Sequence, residues 1–192
     1  KPFKTFHNFL KQELYLRVSP ELYLKRLLVG GMNKVYDLNR NFRNESIDTT
    51  HNPEYTMLEV YQAYADYEDM MELTEKLFEA ACLEIHGTTE IQYGEETLSF
   101  KRPWKRSTMF EIIEEHTGEK IEGRSENELA ELAKKLGVEV DPSMGKGKLI
   151  DEIFGEKVEP RLIQPTFITD YPIEMSPLAK KHRSQQGLVE RF

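Results

Sequence analysis

The chain has 192 residues, of which 39% are hydrophobic and 31% charged, with a formal net charge of -8, and this length allows one domain or one domain with an insertion. The negative charge argues against a protein that coats nucleic acid by neutralising phosphates, and the single cysteine, Cys82, excludes an internal disulfide and a cysteine-rich metal site. The sequence contains no run of about 18 apolar residues that would predict a membrane span, and its cysteine usage fits a reducing, cytoplasmic setting.

The amino-terminal part predicts a strand followed by a helix. Residues 13–18 alternate in polarity and are rich in strand-forming types. Ser19 is a typical N-cap and Pro20 a typical first helical residue. We therefore predict a helix that runs from this point to the glycines at 30–31.

A pair of strands is predicted next. Residues 34–42 alternate, which places Arg40 and Asn41 on opposite faces. Residues 54–65 are rich in β-branched and aromatic types. The connecting stretch 45–53 is rich in turn formers and short, which favours an antiparallel pair.

Helices and strands continue to alternate along the rest of the chain. The clearest helix spans 67–87, and its apolar stripe from Met70 to Leu83 is predicted to lie in the core. Three shorter helices follow between 107 and 160, with Ser107 and Ser125 as predicted N-caps. The remaining predicted elements are a hairpin at 89–101, a strand at 165–172 and a strand that begins at Leu188.

This mixture predicts an α+β fold, in which an antiparallel sheet carries flanking helices. We predict that residues 1–106 form part of the core and contain the hairpin. Residues 107–160 are predicted to be a small helical insertion, and residues 161–192 to return to the core.

The predicted hairpin places charges where a simple apolar core would exclude them. Residues two apart share a face, which groups Arg43 with Glu45, and Tyr55 with Glu59 and Tyr61. Buried unpaired charges are costly, so we interpret this face as the floor of a pocket. The arginine suits a phosphate or carboxylate, the Glu59 carboxylate a cation and the Tyr55 ring a flat group. An Arg43–Glu45 salt bridge and a Glu59–lysine pair remain as simpler interpretations.

Three stretches of the chain resemble one family. "FRNE", the loop and "HNPEYTMLEVYQAYADY" are similar to motif 2 of the class II aminoacyl-tRNA synthetases. "LYLRVSPELYLKRLLVGGMNKVYDLNRNFRNE" and "PTFITDYPIEMSPLAKKHRSQQGLVERF" resemble the lysyl-tRNA synthetases of that class. The resemblance covers essentially the whole chain, is weakest at 101–160, and implies the antiparallel sheet of the class II catalytic core. Ser46 departs from the family, which usually has glycine there, and this alters backbone freedom without removing a ligand.

The resemblance implies an activity and its partners. Lysine and ATP would form lysyl-adenylate, and the lysyl group would pass to tRNA(Lys) in the cytoplasm. Mg²⁺ is expected with ATP, with its ligands mainly beyond this chain, and the intact enzyme is expected to be a homodimer. Motif 3 and an anticodon-binding domain are expected outside these 192 residues, so the isolated chain is expected to have weak activity or none.

The resemblance also implies the residues that bind ATP. Arg43 would contact the α-phosphate and the lysine carboxylate and is the expected catalytic residue. Glu45 would recognise adenine, and Tyr55 would stack on it. His51 and Asn52 would lie in the loop over the nucleotide.

Lysine is expected at the other end of the same face. Glu59 and Tyr61 would hold its side-chain ammonium, and Glu21 would contact its amino group. Two of the assigned residues have simpler interpretations. Glu21 could be an ordinary first-turn glutamate that faces the helix dipole, and His51 could be an ordinary loop histidine.

Two other functions are consistent with the sequence. One is a synthetase paralogue that attaches a lysine-like group to a protein. The other is a non-catalytic interaction module with a vestigial pocket. The intact set of charged and aromatic residues on the hairpin favours the enzyme.

Overall fold

The computed structural model describes residues 2–192, and in this part of the chain helices and strands are mixed throughout. The helices are α1 (Glu21–Val29), α2 (Tyr67–His86), α3 (Met109–Thr117), α4 (Glu126–Lys135) and α5 (Lys146–Lys157), with a 3-10 helix at Glu159–Arg161. The strands are β1 (Lys4–His7), β2 (Gln12–Tyr15), β3 (Lys34–Phe42), β4 (Glu54–Gln62), β5 (Glu90–Tyr93), β6 (Glu96–Ser99), β7 (Lys105–Thr108), β8 (Thr166–Thr169), β9 (Tyr171–Pro172) and β10 (Leu188–Val189).

The strands of residues 2–192 pair into two-stranded sheets. The pairs β1–β2, β3–β4, β5–β6 and β9–β10 are antiparallel, and β7 pairs with β8 in parallel. The prediction of a mixed chain with antiparallel strands is confirmed at this level. The parallel pair was not predicted, because it joins segments on either side of the three shorter helices.

The chain forms two units, Lys1–Ala65 and Asp66–Phe192. The first unit contains β1 to β4 and α1. Its largest feature is the β3–β4 hairpin, whose register runs from Lys34 opposite Gln62 to Phe42 opposite Glu54. The predicted strand at 54–65 ends three residues early, at Gln62, and the chain turns away at Tyr64, which has a positive φ of 59°.

The segment before α1 lies along β3. The backbone N–H of Phe42 donates to the Arg17 carbonyl over 2.9 Å, and the Arg17 Nε donates to the Arg40 carbonyl, also over 2.9 Å. The predicted strand at 13–18 is consequently shorter than expected: β2 pairs with β1 only as far as Tyr15. This path brings the start of α1 to the hairpin.

The predicted N-cap of α1 is wrong by one position. Pro20 occupies the N-cap, and the side chain of Ser19 accepts the N–H of Glu21 over 3.2 Å. Ser19 therefore satisfies one free N–H of the first turn from outside the helix. Glu21 is the first helical residue, which favours a carboxylate because of the helix dipole.

The second unit has its own apolar core, built mainly from the three shorter helices and the segments that follow them. Thirteen buried residues make up this core: Met109, Ile112, Ile113, Ile121, Leu129, Leu132, Ala133, Val138, Leu149, Ile150, Ile153, Val158 and Ile168. Ser125 is the N-cap of α4 as predicted. The prediction for α3 is wrong by one position, because Thr108, the last residue of β7, caps the helix.

Helix α2 begins and ends close to its predicted bounds. Asp66 caps it by a reciprocal arrangement with Asp69, and Gly87 ends it in the left-handed conformation. Its apolar stripe is only partly core. Met71 is fully buried, whereas Leu77 and Leu83 keep 47% and 49% of their surface exposed.

Candidate functional site

The candidate site lies on one face of the β3–β4 hairpin. The register places the odd-numbered residues of both strands on this face, so that Asn41 lies opposite Tyr55 and Asp37 lies opposite Glu59. Arg43 extends the same row past the end of β3. Its backbone N–H donates to the Pro53 carbonyl over 2.8 Å, which fixes the point where the loop leaves the hairpin.

A cleft of about 380 Å³ opens at this end of the hairpin. Its lining contains all five residues that the family resemblance assigns to ATP: Arg43, Glu45, His51, Asn52 and Tyr55. The remaining lining residues are Ser46, Thr49, Thr50 and Met57. The cleft thus combines a guanidinium, a carboxylate, hydroxyl groups and an aromatic ring.

Arg43 and Tyr55 are in direct contact in this cleft. The Arg43 guanidinium carbon lies 5.5 Å from the centroid of the Tyr55 ring, a distance typical of a cation–π contact. Within the described residues, Arg43 forms no ion pair with Glu45 within 4.0 Å, so the salt-bridge interpretation of these two residues is wrong for this structure. The guanidinium keeps its bidentate edge for an anion.

Asp48 holds the loop over the cleft in shape. Its carboxylate accepts the N–H groups of Thr50 and His51 over 2.8 and 2.9 Å, and the Thr50 hydroxyl over 2.9 Å. These hydrogen bonds, led by the Thr50 N–H, hold the pKa of the Asp48 carboxyl well below its usual range. The sequence analysis did not single out Asp48, although an aspartate two residues before a threonine is a common turn signal.

His51 is tied to the same carboxylate. Its Nδ1 lies 2.9 Å from both oxygens of Asp48 and 3.0 Å from the Thr50 hydroxyl. This contact orients the imidazole, and its Nε2 is the atom left for a ligand. The simple loop interpretation and the ligand interpretation both fit this geometry.

The other end of the hairpin face contains a paired glutamate and tyrosine. The Tyr61 hydroxyl donates to Glu59 Oε2 over 2.9 Å, and the Ser19 hydroxyl donates to Glu59 Oε1 over 2.7 Å. The structure therefore gives Glu59 two hydroxyl partners and, among the described residues, no lysine within 4.0 Å. The Glu59–lysine pair is therefore not formed in this structure.

The pKa of the Tyr61 hydroxyl is raised in this environment. Burial raises the pKa of its hydroxyl most, and the hydrogen bond to Glu59 and the charges of Glu59 and Glu21 raise it further. The hydroxyl therefore stays protonated and keeps donating to the carboxylate. Such a site favours a cationic group.

Glu21 lies at the start of α1, beside this pair. Its carboxylate forms an ion pair with Lys25 over 2.5 Å, and the Lys25 Nζ lies 6.0 Å from the centroid of the Tyr61 ring. Glu21 also lines a second cleft of about 550 Å³, together with Arg17, Ser19, Lys25 and neighbouring residues. An ammonium group of the protein itself thus already lies next to Glu21 and Tyr61.

Polar residues of β3 lie directly across from both ends of the face. Arg17 pairs with Asp37 over 2.6 Å, which offsets the negative charge directly across from Glu59. Asn41 is fully buried. In the described part of the chain, its side-chain amide and the Tyr55 hydroxyl have no hydrogen-bond partner.

The two ends of the face lie well apart along β4. Residues on one face of a strand repeat every ~6.8 Å, which places Tyr55 and Glu59 roughly 14 Å apart along β4. The structure thus brings the predicted ATP residues together in one cleft. It places Glu59, Tyr61 and Glu21 at the other end.

Metal and membrane sites are not evident in the described residues. Among residues 2–192, no group of three or more His, Cys, Asp or Glu side chains is arranged to hold a metal ion. None of the helices described in the structure has both the length and the apolar character needed to cross a membrane.

Comparison with known proteins gives one consistent result. The family described as tRNA synthetases class II (D, K and N) matches residues 1–192. Proteins named lysine–tRNA ligase are similar over the whole chain: those of Porphyromonas gingivalis (strain ATCC 33277) and Christiangramia forsetii are 58% identical, and that of Azobacteroides pseudotrichonymphae is 55% identical. The chain covers 33%, 34% and 38% of these three proteins, and so spans about a third of the length of these relatives.

Proposed function

Since the chain belongs to the class II tRNA synthetases (D, K and N), we propose that it contributes the amino-acid activation site of a lysine–tRNA ligase. The relatives that carry this name are 55% and 58% identical over all 192 residues. The observation that carries the proposal is the hairpin face, where a guanidinium, a carboxylate and an aromatic ring line a cleft at one end and two hydroxyl groups hold the Glu59 carboxylate at the other.

ATP is proposed to occupy the cleft at the Arg43 end. The guanidinium would bind the α-phosphate through charge-assisted hydrogen bonds. The adenine ring would stack on Tyr55 and be recognised by Glu45. His51 and Asn52 would close over the nucleotide from the loop, whose shape depends on Asp48.

Lysine is proposed to lie along the face with its side chain toward Glu59. Its ammonium would bind the carboxylate beside Tyr61, and its α-amino group would bind Glu21. To do so it would replace the Lys25 ammonium that pairs with Glu21. The lysine carboxylate would then point back toward Arg43.

The proposed reaction needs positioning and charge stabilisation rather than an enzyme nucleophile. A lysine carboxylate oxygen attacks the α-phosphorus, the bond to the bridging oxygen breaks, and pyrophosphate leaves with that electron pair. A terminal ribose hydroxyl of the tRNA then attacks the carbonyl carbon, and AMP leaves. Arg43 would hold the two reacting groups together and offset the charge that develops on the phosphate.

Several wider features of the intact protein are part of the same proposal. Mg²⁺ would accompany ATP and supply positive charge to its phosphates. Residues 1–106 and 161–192 would belong to the antiparallel catalytic core, with 107–160 as a helical insertion. The partners would be tRNA(Lys) and a second subunit, and the enzyme would act in the cytoplasm.

The activity is tested by lysine-dependent exchange of pyrophosphate into ATP in the protein in its full length, followed by aminoacylation of tRNA(Lys). We expect exchange with lysine and not with arginine, ornithine or norleucine, since only lysine matches both the charge and the length. Exchange without tRNA charging would favour the paralogue that modifies a protein. Neither activity from a folded protein would favour the interaction module and exclude the ligase.

A further inference from the structure

We propose that Ser19 is a positioning residue for the lysine ammonium, a role that rests on the proposed function and makes it more specific. The residue lies just before α1, and its hydroxyl donates to Glu59 Oε1 over 2.7 Å. Forty positions in the sequence separate the two residues. The contact therefore exists only because the chain before α1 passes over the hairpin face.

Ser19 and Tyr61 together hold both oxygens of the Glu59 carboxylate. Ser19 binds Oε1 and Tyr61 binds Oε2, so rotation about the last side-chain bond would break two hydrogen bonds. Each carboxylate oxygen accepts more than one hydrogen bond. The remaining acceptor sites are thus held in fixed directions for the ammonium.

The same hydroxyl links the carboxylate to the start of α1. Ser19 Oγ accepts the N–H of Glu21 over 3.2 Å while it donates its proton to Glu59. One side chain therefore sets both the direction of Glu59 and the position of the residue that carries Glu21. These are the two carboxylates proposed to bind the two amino groups of lysine.

The location of Ser19 strengthens the effect of its hydrogen bond. Both Ser19 and Glu59 are partly buried, and a hydrogen bond to a charged group is stronger where water is partly excluded. A carboxylate held in this way before the ligand arrives loses less freedom on binding. Loss of the hydroxyl should consequently weaken lysine binding and leave ATP binding intact.

The experiment compares Ser19→Ala with a matched serine in the protein in its full length. Ser125 is the control because its hydroxyl also donates to a glutamate, Glu128, over 2.6 Å and also accepts an N–H at a helix start. Ser125 lies at the N-cap of α4 in the second unit. Ser19→Thr keeps the hydroxyl, and Ser19→Cys keeps the size with only a weak donor.

Lysine-dependent pyrophosphate exchange gives the KM for lysine, the KM for ATP and kcat separately, and thermal unfolding gives Tm. We expect Ser19→Ala to raise the KM for lysine about three- to tenfold, the factor that matches one ordinary hydrogen bond. The KM for ATP and kcat should stay within about twofold. Ser19→Thr should restore the wild-type KM, and Ser125→Ala should lower Tm without changing either KM.

Three results would overturn the inference. An unchanged KM for lysine in Ser19→Ala would show that Glu59 is oriented without Ser19. An equal rise in both KM values with a lower Tm would show that Ser19 acts only on the helix start. If Ser19→Ala does not fold, equal lysine KM values in the Thr and Cys variants would also show that the Ser19 hydroxyl does not position Glu59. Absence of lysine-dependent exchange in the wild type would instead contradict the proposed function itself.

Discussion

Arg40 and Arg43 lie three positions apart and on opposite faces of the β3–β4 hairpin. Arg40 pairs with Glu54 across the strands, and the Arg40 side chain remains 63% exposed. Arg43 lies against the Tyr55 ring in the cleft. The alternation of the strand thus separates a solvated ion pair, which contributes little stability, from a guanidinium that lines the cleft.

Arg43→Ala should lower the rate of adenylate formation about a hundredfold or more, whereas Arg40→Ala should leave it nearly unchanged. Loss of one preorganised contact to developing charge typically costs about 3 kcal/mol in barrier, or roughly a hundredfold in rate. Pyrophosphate exchange measures both variants, and the Arg40 variant controls for the loss of one arginine from the hairpin. Similar rates in the two variants would contradict the role of Arg43.

Glu59→Gln should act on lysine and not on ATP. The substitution keeps the shape of the side chain and removes its charge, so the ammonium loses an ionic hydrogen bond. We expect the KM for lysine to rise roughly 10- to 100-fold, with the KM for ATP unchanged. Glu54→Gln, on the opposite face of the same strand, is the matched control, and a comparable loss of ATP binding in Glu59→Gln would show that this carboxylate is structural.

At the scale of elements, the loop between β3 and β4 is a folded turn rather than a free connection. The Asp48 carboxylate accepts the N–H groups of Thr50 and His51. Its contact with His51 Nδ1 holds the His51 ring beside the cleft. Loops of this kind position ligand contacts on a rigid scaffold. The hairpin is the scaffold here, since its two strands are paired over their whole length.

Asp48→Ala should loosen this loop and weaken ATP binding. We expect the KM for ATP to rise about three- to tenfold, as for the loss of an ordinary hydrogen bond or two, with a smaller effect on the KM for lysine. Asp141→Ala is the control because Asp141 accepts the N–H and hydroxyl of Ser143 in the same kind of turn. If both variants leave the KM for ATP unchanged, the loop shape is not needed for nucleotide binding.

At the scale of the whole molecule, side chains of the second unit connect segments that lie far apart in the sequence. Arg183 binds Asp66 at the start of α2 over 2.8 Å and also binds Glu190 near the end of the chain. Close by, the Tyr67 hydroxyl donates to Asp170 over 3.1 Å. Burial and this carboxylate raise the pKa of Tyr67 to about 12.

The Arg183 contact predicts a loss of stability in acid. Its hydrogen bonds to Glu190 lower the pKa of that carboxyl from its ordinary 4.5 to about 2. A carboxyl with a lowered folded-state pKa stabilises the fold fully above its unfolded pKa, and this contribution disappears as the pH falls through the folded value. Denaturant unfolding should therefore show a stability advantage of the wild type over Glu190→Gln that is constant above about pH 5 and shrinks toward pH 2.

The control for this measurement is Glu95→Gln, since Glu95 is an exposed residue in the turn between β5 and β6. The difference in unfolding free energy between this variant and the wild type should vary little between about pH 2 and pH 5. A Glu190→Gln difference that does not depend on pH would show that the Arg183 pair makes no ionic contribution to stability.

Local patterns in the sequence determined the elements and the composition of the site. Alternation, β-rich composition and a short turn-forming loop predicted the β3–β4 hairpin, and side-chain alternation grouped Arg43 with Glu45 and Tyr55 with Glu59 and Tyr61. The helix at 67–87 followed from its apolar spacing and its terminal glycine. The roles of these residues came from the family resemblance and remain proposals.

Only the tertiary structure decided the contacts between remote segments. The hydrogen bond from Ser19 to Glu59 depends on how the chain before α1 crosses the hairpin, and the parallel pairing of β7 with β8 joins segments on either side of the three shorter helices. The exposure of Leu77 likewise depends on which face of α2 is covered. The periodicity of a sequence gives the direction in which each side chain leaves its own backbone. Which residue that side chain contacts depends on segments far away in the sequence, and only the tertiary structure shows where they lie.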